Sequence, residues 1–214
     1  TQLDKIILSK TVTLAAFGNY MVAVMVMSGL QILISPVFNV IFPRMSALVS
    51  AKNEDKLLEL YRHGSRLFAS AIFPAAMLIA VYGMDFVRIW TGNAELAVSA
   101  APIIALLAIG SALNGVMFFP YALQLAYGMT WLPLAINLGL ICLMAPLVIV
   151  SSQHYGATGA AFSWMGIELI YVLVGRWLTH KYILSKQNMR GLFGDVGMPF
   201  ALALLGGGAL HLVY

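Results

Sequence analysis

The sequence predicts an all-α protein, a polytopic transmembrane helix bundle, and three observations predict it. Charged residues make up 9% of the 214, hydrophobic residues 61%, and the mean hydropathy is +0.91, whereas average usage is about 25% charged. The chain divides into apolar runs of the length that a helix needs to cross a bilayer, about 20 residues. Nine of the twelve Lys and Arg residues fall in two stretches, Arg44 to Arg66 and Arg176 to Arg190, as the positive-inside rule expects of cytoplasmic loops.

The first piece, residues 1–14, is short and carries Asp4, Lys5 and Lys10; it reads as the tail of a truncated transmembrane helix. Full crossings are predicted over Tyr20 to Phe42, Leu67 to Val87, Leu96 to Tyr127, Trp131 to Val150, Ala157 to Leu178 and Val196 to Tyr214. Residues 15–194 are thus expected to form a five-helix bundle, and 195–214 a further helix truncated at its end. The chain begins at Thr1 without Met and ends inside an apolar run, so part of a longer protein is expected. No signal-peptide pattern stands at the start.

Four crossings separate the two basic stretches, which returns the chain to the side it left and puts both stretches in one compartment. The positive charge is therefore read as topology rather than as a nucleic-acid surface. Within the first basic stretch, residues 52–66 read as a cytoplasmic amphipathic connector, with Leu57, Leu60 and Tyr61 near one face and Lys56, Glu59 and Arg62 elsewhere. Pro43 is expected to end its span. The other prolines also lie in or beside apolar runs, where they kink helices and free backbone carbonyls that need partners. Gly156, Gly159, Ala160, Ser163 and Gly166 recur at helical spacing and allow close helix approach.

Phosphate-binding loops, dinucleotide fingerprints, paired-His metal motifs and nucleophile elbows are missing from the sequence. The protein is not expected to be an enzyme, and no catalytic residue, cofactor or metal is predicted. Cys142 is the sole cysteine, so no disulfide can form within the chain.

The informative residues are the ionisable ones left inside apolar runs, where a charge is costly unless it meets a cavity or a partner. These are Asp4 and Lys5 in the first piece and Glu168 midway along its span. For Glu168 two readings stay open, a hydrogen bond to a neighbouring helix or a proton or cation site. Asp85 and Arg88, at i and i+3, are placed to pair on one helix face near the interface. Asn39, Asn114, Gln124 and Asn137 are uncharged polar groups within spans, fit either to line a cavity or to bond between helices.

Several segments in order, QLDKIILSK at 2–10, FGNYMVA at 17–23, PVFNVIFPRMSAL at 36–48, RIWTG at 88–92, LQLAYGMTWLPLAINL at 123–138 and YGATGAAFSW at 155–164, resemble the polysaccharide transporter branch of the MOP flippase superfamily. That branch contains the O-antigen and exopolysaccharide repeat-unit flippases. The resemblance implies the second bundle of a transporter that moves an undecaprenyl-diphosphate-linked oligosaccharide across the bacterial inner membrane by alternating access. It implies that Asp4 and Lys5 face a central, basic-leaning cavity, with Lys5 attracting diphosphate, and that Arg44 sits at the cytoplasmic mouth. Asn39, Asn114 and Gln124 join them as candidate cavity residues, and Asp4 and Glu168 as candidates for ion coupling. Expected partners are the lipid-linked oligosaccharide, membrane lipids, and the polysaccharide polymerase and chain-length machinery, with no nucleic acid. Competing readings are a multidrug or toxin cation antiporter of the same superfamily, a membrane glycosyltransferase or ligase, and a non-transporting scaffold of a polysaccharide assembly complex.

Overall fold

The computed structural model describes residues 3–184 and 197–203, all of whose regular elements are helical. In order they are α1 (Leu3–Thr11), α2 (Leu14–Ser50), α3 (Glu54–Thr91), α4 (Ala94–Val116), α5 (Phe118–Ala126) and α6 (Trp131–Tyr182), followed by a helical stretch at 197–203. Most of the second basic stretch's tail, 185–196, and most of the predicted last span, 204–214, lie outside the described residues.

Local chemistry sets the helix boundaries. The side chains of Thr13, Asn53 and Asn93 accept hydrogen bonds from the backbone N–H groups of Ala16, Lys56 and Leu96, which caps α2, α3 and α4. Glu54, Asp55 and Glu95 add negative charge to first turns, where the helix dipole favours it. Gly92 ends α3 in the left-handed conformation at φ 67°, so Gly92 and Asn93 alone reverse the chain between α3 and α4. The α4–α5 break at Met117 follows from Pro120, which has no N–H for the carbonyl of Val116 and whose ring crowds it. The N–H of Met117 bonds instead to the carbonyl of Asn114 at 3.0 Å, in a tighter turn.

α6 is two crossings rather than one. At Gly156 the backbone takes φ 61°, ψ −145°, and the helix folds back on itself. The Ser163 hydroxyl donates to the Ser151 hydroxyl at 2.7 Å, whereas twelve residues of straight helix would hold them about 18 Å apart. The rings of Trp131 and Tyr182, at the two ends of α6, meet edge-on at 5.4 Å. A Cβ on Gly159 would overlap the Ser151 carbonyl, so Gly159 permits the close return. Of the small residues at this helical spacing, Gly156 makes the corner, Gly159, Ala160 and Ser163 pack the hairpin, and Gly166 faces open space. Only glycine adopts the Gly156 conformation without strain of about 1–3 kcal/mol. Gly156→Ala is therefore expected to destabilise the protein by that amount, measured as a lower midpoint of thermal unfolding in detergent.

Four helical segments are long and apolar enough to cross a membrane, and the reversal at Gly156 makes the last of them two arms, 131–155 and 157–182. The protein is an integral membrane helical bundle. The described parts of both basic stretches come to one end, as the charge pattern predicts: Met45, Leu57 and Leu184 share one apolar cluster with Phe119 and Leu123. At the same end the Tyr127 hydroxyl is held above its usual pKa by partial burial and by the charge of Glu54. At the other end Thr11 accepts a hydrogen bond from Ser152 at 3.0 Å, close in sequence to Lys10.

Three expectations change. The connector at 52–66 is not a separate interfacial helix but the first turns of α3. Its buried residues, Leu57, Tyr61, Ser65, Ala69, Ile72, Ala76, Gly83 and Val87, keep helical spacing through the boundary, and no proline interrupts them before Pro74. Second, Pro43 does not end its span; α2 continues to Ser50, because one proline removes one backbone bond and bends a helix whose neighbours hold it on both sides. Third, no ion pair joins Asp85 and Arg88; Arg88 lies exposed in the last turn of α3. With 37 and 38 residues, α2 and α3 are each about 55 Å long, well beyond the roughly 30 Å of a hydrocarbon core.

Candidate functional site

The bundle encloses a cavity of about 280 Å³ that draws side chains from five helical segments. From α1 come Asp4 and Lys5; from α2, one face carrying Tyr20, Val24, Met27 and Gln31. α4 adds Leu107 and Asn114, the first arm of α6 adds Asn137, Leu140, Ile141 and Met144, and the second arm adds Trp164, Ile167, Glu168 and Tyr171. The spacing explains why these side chains meet: 20, 24, 27 and 31 form one stripe of a helix, as do 137, 140, 141 and 144, and 164, 167, 168 and 171.

Asp4 is 5% exposed. Its Oδ2 accepts a hydrogen bond from the Tyr20 hydroxyl at 2.7 Å, while Oδ1 is buried with no hydrogen-bond partner among the described residues. Glu168 lies about 18 Å along its arm from Gly156, and its Oε2 accepts from the Asn114 amide at 2.9 Å. Asn114 therefore links the carboxylate to the α4–α5 break, since its carbonyl receives the Met117 N–H. The Asn137 amide donates to the Pro133 carbonyl at 2.8 Å, which leaves its own oxygen free of that bond. Trp164 is held against α4: a Cβ on Gly110 would overlap its six-membered ring. Glu168 thus makes a bond to a neighbouring helix and also stands on the cavity wall.

Of the predicted site residues, the structure brings Asp4, Lys5, Asn114 and Glu168 to this cavity. Gln124 is elsewhere, 1% exposed, with its amide donating to the Thr179 hydroxyl at 2.6 Å in an α5–α6 contact. Asn39 and Arg44 lie on exposed surface of α2, Arg44 toward the basic end, and neither lines the cavity. Among the described residues the expected basic lean is absent too: one lysine faces two carboxylates, so the described lining is formally −1 when all three are ionised. Tyr20, Gln31, Trp164 and Tyr171 were not anticipated. The signal that points to them is a polar or amphipathic residue repeated on one stripe of an otherwise apolar helix, as with Tyr20 and Gln31, or Trp164, Glu168 and Tyr171.

Fold and cavity together define a membrane-spanning helical bundle with a polar chamber in its interior. Residues 1–100 match a family model described as "Polysaccharide biosynthesis protein". The match runs from α1 into α4 and bears out, over that segment, the family that the motifs resemble; the role that goes with it is in polysaccharide biosynthesis. No curated protein and no solved structure shows significant similarity to the chain.

Proposed function

We propose that the protein carries a lipid-linked oligosaccharide across the bacterial inner membrane by alternating access, with Asp4 and Glu168 coupling the movement to an ion gradient. One observation supports this most: a chamber lined by two carboxylates and a lysine inside a bundle whose helices are otherwise apolar. Polar groups buried without replacement for water are costly, on the order of several kcal/mol each, and ionisable groups inside a membrane mark pathways. A saccharide bearing a diphosphate cannot cross hydrocarbon unaided for the same reason. A polar chamber supplies substitute hydrogen bonds while the lipid tail stays in the bilayer. Cation uptake by Asp4 or Glu168 changes the chamber from net negative to neutral, which links ion occupancy to what else the chamber accepts. The match to polysaccharide biosynthesis proteins supports the substrate class.

The test is made in cells. Loss of the protein is expected to leave lipid-linked saccharide units on the inner leaflet and to stop surface polysaccharide export. Lys5→Ala in the intact protein is expected to impair export at normal expression. Units that fail to form at all would instead mark an enzyme of their synthesis, and full export with Lys5→Ala would favour a scaffold.

A second reading has its own observation. Tyr20, Trp164 and Tyr171 beside two carboxylates suit an organic cation, which aromatic faces and negative charge attract. Efflux of a lipophilic cation that depends on Glu168, with polysaccharide export unaffected, would establish that reading.

A further inference from the structure

The lining of the chamber distinguishes between the two ends of the proposed cargo. A diphosphate presents acceptor oxygens and negative charge only, and its partners are cations and N–H donors, often arginine forks. Among the described residues the chamber offers it one such cation, Lys5, and sets Asp4 and Glu168 against it. A sugar ring is different chemistry: each hydroxyl both donates and accepts, and the ring's C–H face packs on aromatic side chains.

The chamber matches that second description. The Asp4 carboxylate is nine-tenths buried and, among the described residues, keeps Oδ1 without a hydrogen-bond partner. Among the described residues, the Gln31 amide makes no side-chain hydrogen bond, so it holds both donors and an acceptor in reserve. Asn114 and Asn137 each spend an N–H on a protein acceptor and keep an amide oxygen. Trp164 provides a flat apolar surface held in place by the Gly110 contact. At about 280 Å³ the chamber sits at the lower edge of small-molecule pockets, which run about 300–1,000 Å³. It accommodates part of an oligosaccharide rather than a whole lipid headgroup.

We infer that this chamber is a saccharide subsite, in which Trp164 stacks a sugar ring and Asp4, Gln31, Asn114 and Asn137 bond its hydroxyls, and that the diphosphate is held outside it. The inference rests on the flippase reading for its cargo but not for its chemistry. It carries a specificity: neutral and amino sugars are accepted, and a uronic acid is disfavoured because its carboxylate would face Asp4 and Glu168 with only Lys5 in support.

The experiment uses the intact protein in lipid nanodiscs and titrates three soluble probes: a neutral disaccharide, the matching disaccharide with a uronic acid, and inorganic pyrophosphate. The neutral disaccharide is expected to bind, the acidic one at least tenfold more weakly. Trp164→Ala is expected to weaken the neutral sugar at least tenfold, with Trp164→Phe restoring most of the binding, which separates ring stacking from loss of folding. Lys5-dependent pyrophosphate binding without Trp164-dependent sugar binding would overturn the inference, as would tighter binding of the acidic sugar. Absence of binding by all three probes, in protein that unfolds cooperatively on heating, would overturn it too. Transbilayer movement of a lipid-linked saccharide in proteoliposomes is read separately. Movement without sugar binding would sink the subsite and keep the flippase. Sugar binding without movement would sink the flippase and keep the subsite.

Discussion

Glu168→Gln in the intact protein is expected to lower polysaccharide export at least about tenfold, equivalent to about 1.4 kcal/mol, with membrane levels unchanged. Glutamine has the same shape, and its amide oxygen can accept the Asn114 hydrogen bond in place of Oε2. The α4–α6 contact therefore survives while the charge does not, and the substitution isolates the titratable function from the packing one. Under the coupling proposal, residual transport by this variant no longer responds to an imposed proton or sodium gradient. Normal export with a normal gradient response would leave Glu168 as a helix-to-helix hydrogen bond alone.

Asp4→Asn is expected to separate stability from activity in the opposite sense. Oδ1 of Asp4 is buried without a partner among the described residues, and an unsatisfied buried polar atom costs about 1–3 kcal/mol, more when charged. Asparagine keeps an oxygen for the Tyr20 hydroxyl, which Oδ2 now accepts at 2.7 Å, and removes the charge. Unfolding temperature in detergent is accordingly expected to hold or rise, while export falls at least about tenfold. A protein that unfolds at lower temperature and exports in proportion to its surviving amount would make Asp4 a structural residue. The combination of a costly buried oxygen and retained function is how binding sites differ from cores.

Much of the fold was legible because a bilayer simplifies the code. Apolar length gave the crossings, and the segregation of Lys and Arg oriented them. The described parts of the two basic stretches meet at one end of the bundle because four crossings lie between them, with Gly156 supplying one reversal. What the sequence concealed is where a helix stops. Residues 52–66 look polar enough to leave the membrane, yet their buried face continues into the span without a break. Hydropathy detects the surrounding medium and is blind to continuity of the backbone. Pro43 misled in the same way, since a proline marks a lost bond and not an end.

The site was legible in its charges and hidden in its neutral members. Asp4, Lys5 and Glu168 are conspicuous because ionisable groups inside apolar runs are rare. Asn114 and Gln124 looked alike, both polar and both within predicted spans. Only three-dimensional packing separates them, by turning Asn114 toward Glu168 and Gln124 toward Thr179. Trp164 lies within a recognisable segment without a role there, because its place on the cavity wall depends on the absence of a side chain at Gly110, on another helix.

The connections at the two ends of the bundle differ in reach. Away from the basic end the chain turns through Val12 and Thr13, through Gly92 and Asn93, and through Gly156 alone. Each of these turns ties only its own two helices, so at that end the bundle consists of three hairpins, α1–α2, α3–α4 and the two arms of α6. The links at the basic end, 51–53 and 127–130, are longer and join one hairpin to the next. Separation between hairpins at the end of the tight turns therefore pivots about the links at the basic end, and separation within a hairpin pivots about its own turn.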